Sequence, residues 1–290
     1  MSRQILILGA TGMLGQPVTR CLVESGHRVR ILARNLEKVR RLFGNTVEIV
    51  EGSALSKEKV RHAMAGCDAV HVNLPQASEF AAMQHVTDLG RANGLERITY
   101  VSATTACQEN RWFEMVDVKI RTEDILQVSG IANTVFCPTW AMETLQNFIR
   151  GDRAVMILSK NPPPLHFIAG ADFGRMVGAS YEDDRALCKR LFVHGPEAVT
   201  LPDALERYFD ACHPEKRIMR MKLWQARLIA KLTRREELAD ATQLIAYFDI
   251  VGELGDPVEA NALFRAPSIT LDAWFKLLKV PVGSAALSAA

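Results

Sequence analysis

The sequence predicts a doubly wound α/β fold, a parallel sheet with helices on both faces, followed by a smaller α+β lobe. Three observations carry this expectation. Short apolar or β-branched runs alternate with polar helical stretches through the first half of the chain. Four glycines, Gly26, Gly66, Gly94 and Gly130, each stand between a helical pattern and the next apolar run, and the alternation dissolves after Pro138.

The expected strands are Gln4 to Leu8, Arg28 to Leu32, Val47 to Glu51, Ala69 to Leu74, Ile98 to Ser102 and Thr134 to Cys137. The four glycines close the helices between them, because the left-handed conformation that ends a helix is easiest for a residue without a Cβ. Right-handed crossovers then put the ligand-binding loops at the carboxyl ends of the strands. Past Pro138, a turn at Pro162 to Pro164 precedes helices from about Asp172 and Pro202; Thr200, Pro202 and Asp203 supply a hydroxyl cap, a first-turn proline and a first-turn acid. The 290 residues thus divide into a main domain, residues 1–138, and a lobe, residues 139–290, that does not fold independently. Gly283 to Ala290 is expected to fray.

Lys and Arg total 35 against 33 Asp and Glu, a formal charge of +2, which excludes an obligate polyanion binder. A hydrophobic content of 48% excludes a disordered chain. The six cysteines stand singly without a C-x-x-C pair, as reduced thiols do, so neither a metal site nor a disulfide framework is expected. No run reaches the ~18 apolar residues of a membrane span, and Met1 to Gln4 leads into the first strand without a secretory n-region. These features predict a cytoplasmic protein with no membrane partner.

The first strand runs into Gly9-Ala10-Thr11-Gly12-Met13-Leu14-Gly15, a G-x-x-G-x-x-G spacing that opens the next helix. A dinucleotide diphosphate needs a tight turn, a backbone it can approach, and N–H groups at a helix N-terminus; this segment supplies all three. The competing reading is a merely tight βα turn. Arg34 lies 22 residues past Gly12 at the end of the second strand, where an acid grips a ribose diol and a cation accepts a 2′-phosphate. No acid precedes Glu37 there, so NADP(H) is the expected cofactor, with Lys38 a second cation and NAD(H) the alternative. Arg34 reads otherwise as a solvated surface charge.

These residues resemble the atypical short-chain dehydrogenase/reductases, in particular the NmrA-like group that includes isoflavone-reductase-type and quinone reductases. The resemblance covers most of the chain. It is carried by the Gly9 to Gly15 loop, Val29 to Arg34, Gly66 to Val70, Tyr100 to Ala103, Lys119, Glu123, Ser129-Gly130, Cys137-Pro138 through Asn147-Phe148, and Ala171 to Gly174. It implies a Rossmann-like sheet, cofactor contacts from Thr11, Met13, Leu14, Ser53, Asn73, Leu74 and Pro138, and substrate contacts from Thr139, Trp140 and Met142. It also implies a catalytic pair, Ser102 at the fifth strand's end and Lys119 at the nicotinamide ribose. Thr104 and Thr105 are alternatives to Ser102, and Lys119 reads otherwise as a solvated lysine paired with Glu123.

One element of the dehydrogenase pattern is absent. A Tyr four residues before the lysine shares its helix face and can donate a proton, but that position is Met115, and the four tyrosines lie at Tyr100, Tyr181, Tyr208 and Tyr247. Tyr100 sits one pleat deeper than Ser102 and reads as core. His166, after the proline turn, is a substitute acid or a surface histidine. Lys216 to Arg235 holds eight cations and no acid; interleaved apolar residues make it a strand and an amphipathic helix rather than a nucleic-acid patch. The expected function is an NADPH-dependent reductase of a small quinone or conjugated carbonyl. The alternatives are a non-catalytic NADP(H) sensor with a protein partner and, more weakly, a nucleotide-sugar epimerase.

Overall fold

The computed structural model describes residues 2–279; the tail expected to fray lies outside them. In chain order the elements are β1 (Gln4–Leu8), α1 (Gly15–Glu24), β2 (Arg28–Ala33), α2 (Leu36–Phe43), β3 (Glu48–Glu51), α3 (Lys57–Met64), β4 (Ala69–Val72), α4 (Gln76–Asn93), β5 (Arg97–Val101), α5 (Glu114–Gln127) and β6 (Ala132–Pro138). There follow β7 (Ile149–Arg150), β8 (Arg153–Leu158), β9 (Pro164–His166), α6 (Gly170–Ser180), β10 (Lys189–Val193), β11 (Ala198–Thr200), α7 (Leu201–Cys212), β12 (Arg217–Lys222), α8 (Leu223–Thr233), α9 (Glu236–Val251), α10 (Val258–Phe264) and α11 (Leu271–Lys279).

The main sheet has the order β10-β6-β5-β4-β1-β2-β3, and every pairing in it is parallel. Strand order reverses at β1, the switch point beyond whose carboxyl end ligands bind in such sheets. Gly26, Gly66, Gly94 and Gly130 all have positive φ, between +66° and +81°, and stand where helices end. The interior runs of β1, β4 and β5 are wholly buried because both faces are covered by helices.

Two expectations needed correction. The fourth strand ends at Val72 rather than Leu74, because the Asn73 carbonyl turns against Gly9: a Cβ on Gly9 would lie 1.8 Å from it. A seventh strand, β10, was not foreseen; it pairs with the open edge of β6 from Lys189↔Thr134 to Val193↔Pro138. Contacts therefore divide the chain differently from a cut at residue 138. Among the described residues one unit comprises residues 2–139, 170–194 and 255–267, the other residues 140–169, 195–254 and 268–279.

In the first unit, α6 packs on α1 at a separation only glycine allows: a Cβ on Gly174 would meet the Pro17 backbone at 2.7 Å, and one on Gly178 the Cys21 Sγ at 2.8 Å. That close approach accounts for the Asp172-Phe173-Gly174 motif. The second unit holds a three-stranded sheet, β12-β8-β7, and a two-stranded one, β11-β9. Its core is aromatic, with Phe167, Tyr208, Phe209, Trp274 and Phe275 buried together. The Thr200 hydroxyl caps α7 by accepting from the Asp203 N–H at 3.3 Å. Among the described residues no helix is long and apolar enough to cross a membrane.

Candidate functional site

The turn after β1 is shaped by what its glycines lack. Gly9 has φ +98° and abuts the Asn73 carbonyl, while a Cβ on Gly15 would lie 2.1 Å from the Gly9 oxygen. Both glycines are therefore needed to fold the turn. Gly12 differs: a Cβ there would come no closer than 3.3 Å to any neighbour, the Gly9 oxygen, and the residue is exposed, as is Met13. The turn leaves a backbone shelf at Gly12 before α1, whose first turn contains no acid. The positive end of that helix thus faces any bound diphosphate without competition. This cradle fits the diphosphate of a nicotinamide dinucleotide, with Thr11 and Leu14 half-buried beside it.

Arg34 is exposed immediately beyond β2. Asn35 caps α2, its side-chain oxygen accepting from the Lys38 N–H at 2.8 Å, so Arg34 and Lys38 flank one helix start. The Ser53 hydroxyl accepts from the Leu55 N–H at 3.2 Å, within its own turn. Asn73 donates its N–H to the Leu8 carbonyl at 2.9 Å, and Leu74 packs on the core beneath. Pro138 ends β6 opposite Val193.

Beside this turn, at the carboxyl ends of β4 and β5, lies a set of charged groups that sequence reasoning did not assemble. Lys119, on α5, donates from Nζ to the Val101 carbonyl at 2.8 Å and to Glu79. Glu79 comes from the first turn of α4, has no exposed surface, and accepts from the Tyr100 hydroxyl at 2.6 Å. Lys119 is thus paired with Glu79 rather than Glu123. Burial, and then the Glu79 charge, push the Tyr100 phenol well above its usual range. Tyr100 is a neutral core donor, as its register predicted, and not a poised acid. The position four before Lys119, Met115, is partly exposed and carries no proton to give.

Ser102 is buried and donates to Glu123. Arg190, on the unforeseen strand β10, holds the other Glu123 oxygen at 2.8 Å and the Ala106 carbonyl at 2.8 Å. The sequence carried a signal for Glu79, an acid four residues after Pro75 at a strand exit. It carried none for Arg190, because nothing local marks β10 as a partner of β6.

Thr139 is buried and donates its N–H to Val193 at 3.1 Å. Two of the expected substrate contacts lie in the core of the second unit. Trp140 packs edge-on against Phe167 and Phe248, and Met142 is fully enclosed. An apolar segment after a strand reads the same whether it faces a ligand or a core. His166 pairs with Glu253, 87 residues away, an acid that sequence spacing did not suggest. The basic run forms β12 and α8, the strand and amphipathic helix expected of it.

The family model described as NAD(P)H-binding matches residues 9–160, just over half of the chain. A photosystem II assembly factor of Cyanophora paradoxa is 26% identical over 141 residues, 46% of this chain and 44% of that protein. The chain therefore spans less than half the length of that curated relative. Among solved structures, an NADPH-dependent quinone oxidoreductase of Escherichia coli complexed with NADPH superposes with TM-score 0.75 at 20% identity, covering 94% of this chain and 99% of that one. A nucleoside-diphosphate-sugar epimerase of Staphylococcus aureus does so with TM-score 0.75 at 19% identity, covering 95% and 100%. At such identities the superpositions speak for the fold alone. With the glycine cradle, the sheet order and the family match in agreement, the chain belongs to the NAD(P)H-binding family.

Proposed function

We propose that the protein is an NADPH-dependent reductase that passes hydride to a small quinone or conjugated carbonyl. The observation that carries this reading is the Lys119 ammonium, fixed between the Val101 carbonyl and Glu79 at the carboxyl end of the sheet whose first turn is the glycine cradle. When bound, the nicotinamide supplies the hydride. Lys119 holds the ribose hydroxyls beside it, and Arg34 with Lys38 takes the 2′-phosphate. Ser102, tied to Glu123, bounds the site. With Met115 in place of a phenol and Tyr100 committed to Glu79, the proton comes from solvent, which suffices for a quinone because its reduced anion is stable. The quinone-reducing relative of the same fold supports this substrate class.

Stopped-flow oxidation of NADPH against a panel of quinones and enones tests the proposal. Turnover is expected, with Lys119→Ala lowering kcat/KM by about 100-fold, a typical effect of losing one positioned polar group. Turnover with no acceptor overturns it. Arg34→Glu is expected to reduce the NADPH-to-NADH affinity ratio by at least about tenfold, the scale of one charge-assisted contact; an unchanged ratio removes Arg34 from the site.

A second reading, a non-catalytic sensor of the NADP(H) pool with a protein partner, is favoured by the missing phenol and by the neutralisation of Lys119 by Glu79. It requires unequal affinities for the oxidised and reduced cofactor, measurable by calorimetry. An epimerase is disfavoured because that chemistry needs a base to take a hydroxyl proton, and the phenol that serves is absent.

A further inference from the structure

The helix α8 is amphipathic in a way its own fold does not use. It rests on the core of the second unit through Leu223 and Ala226, and Ala230 is buried on the same helix. Yet Trp224, Leu228 and Leu232 are 61%, 50% and 74% exposed, and residues spaced by four form one stripe along a helix. Arg227 and Lys231, also four apart, run alongside it. Where the chain leaves α8 for α9, Arg234 and Arg235 join them around a surface cleft of about 420 Å³ in which Glu236 is the only acid lining the wall. Among the described residues no ion pair engages Arg227, Lys231, Arg234 or Arg235. Exposed large apolar side chains are ordinary when scattered, but a tryptophan and two leucines in line beside unpaired cations are a surface made for something.

We infer that this face binds the surface of an anionic phospholipid membrane. A helix lying in the interface needs an apolar face to sink among acyl chains and a cationic flank to meet the headgroups, and α8 carries both side by side. Charge decides among occupants. A second copy of the chain would set four unpaired cations against four more, whereas a nucleic acid would answer the cations and leave Trp224, Leu228 and Leu232 in water. Lipid phosphates answer the cations while the acyl region takes the apolar stripe. The expectation of no membrane partner rested on the lack of a spanning segment, which a surface-lying helix does not require. The inference is independent of the reductase reading.

Cosedimentation of the full-length protein with vesicles of phosphatidylcholine alone, or of phosphatidylcholine mixed with phosphatidylglycerol, tests it. Binding is expected only to the anionic vesicles, weakening with salt and accompanied by a blue shift of tryptophan emission that Trp224→Phe removes. The triple variant Trp224→Ser, Leu228→Ser, Leu232→Ser should lose at least about 100-fold in partition, as expected from withdrawing three buried apolar side chains. Arg227→Gln and Lys231→Gln should each lose about fivefold. Because these side chains are exposed, NADPH binding measured by fluorescence should persist in every variant and report that the fold is intact. Binding to neither vesicle, or equally to both, overturns the inference. So does binding to an oligonucleotide that depends on the cations but not on the stripe, or a concentration-dependent dimer that the triple variant abolishes while vesicle binding is absent.

Discussion

The Gly9–Gly15 turn and the Lys119 network stand at the same carboxyl end of one parallel sheet, yet they are built in opposite ways. The turn is made of backbone and of missing atoms: Gly9 and Gly15 are excluded volumes, and Gly12 is an open shelf. All of it lies within seven consecutive residues. The network is made of side chains from β5, α4, α5 and β10, and its central carboxylate, Glu79, is 40 residues from the lysine it binds. The first can fail only sterically. The second can fail by losing one charge and stranding another.

Four experiments would break or sharpen that contrast. The largest effect is expected from Gly9→Ala, which places a Cβ 1.8 Å from the Asn73 oxygen at a φ of +98°. Loss of about 4 kcal/mol in chemical denaturation, with no measurable nucleotide binding, is expected; a near-neutral result would mean that the turn and the β4 exit move apart freely. Next comes Glu79→Ala, which leaves the Lys119 ammonium and the Tyr100 hydroxyl without their shared acceptor. Breaking a buried pair in this way costs about 3 kcal/mol. Glu79→Gln fills the same volume and keeps one acceptor oxygen, enough for Lys119 or Tyr100 but not for both, and should recover only part of that stability. If Gln is as damaging as Ala, the charge matters more than the geometry.

The third concerns the sheet beneath both sites. His71 on β4 is wholly buried, its Nδ1 2.8 Å from the Thr99 hydroxyl, and burial pushes its pKa down from 6.5 to about 3. The unfolded chain takes up this proton more readily than the folded one. The stability this group contributes is therefore complete above pH 6.5 and is lost as pH falls toward 3, at about 1.4 kcal/mol per pH unit. His71→Leu should flatten the stability profile between those values; an unchanged slope would place the acid sensitivity elsewhere. The smallest effect on stability belongs to Gly12→Ala, expected below about 1 kcal/mol because only the Gly9 oxygen is near. Its added methyl nevertheless stands on the shelf, and calorimetry should show nucleotide affinity falling at least about tenfold. Unchanged affinity would move the diphosphate away from Gly12.

The two regions were also unequally legible. The cradle could be read because its requirements are local: a strand, three glycines and a helix start in succession. Six of the seven main strands could be read for the same reason, each being a short apolar run, and four of them follow a helix-closing glycine. Lys119 is marked by its likeness to related chains, but the only ion-pair partner that helical spacing offers it, in the competing reading as a solvated lysine, is Glu123, four residues on; Glu79 is out of reach of any local pattern. The resemblance puts Trp140 and Met142 at the substrate, and the sequence offers no check on that, because an apolar run after a strand does not say which way it faces.

The sequence by itself determined the parallel sheet, its glycine punctuation and the dinucleotide turn, because backbone conformation and hydrophobic period are written in neighbouring residues. Only the tertiary structure decided that β10 completes the sheet, that Glu79 rather than Glu123 holds Lys119, that Glu123 is shared by Ser102 and Arg190, and that Trp224, Leu228 and Leu232 remain outside. Those outcomes depend on which distant segments meet. Meeting is settled by the burial of the whole chain, a sum over contacts that no local pattern contains.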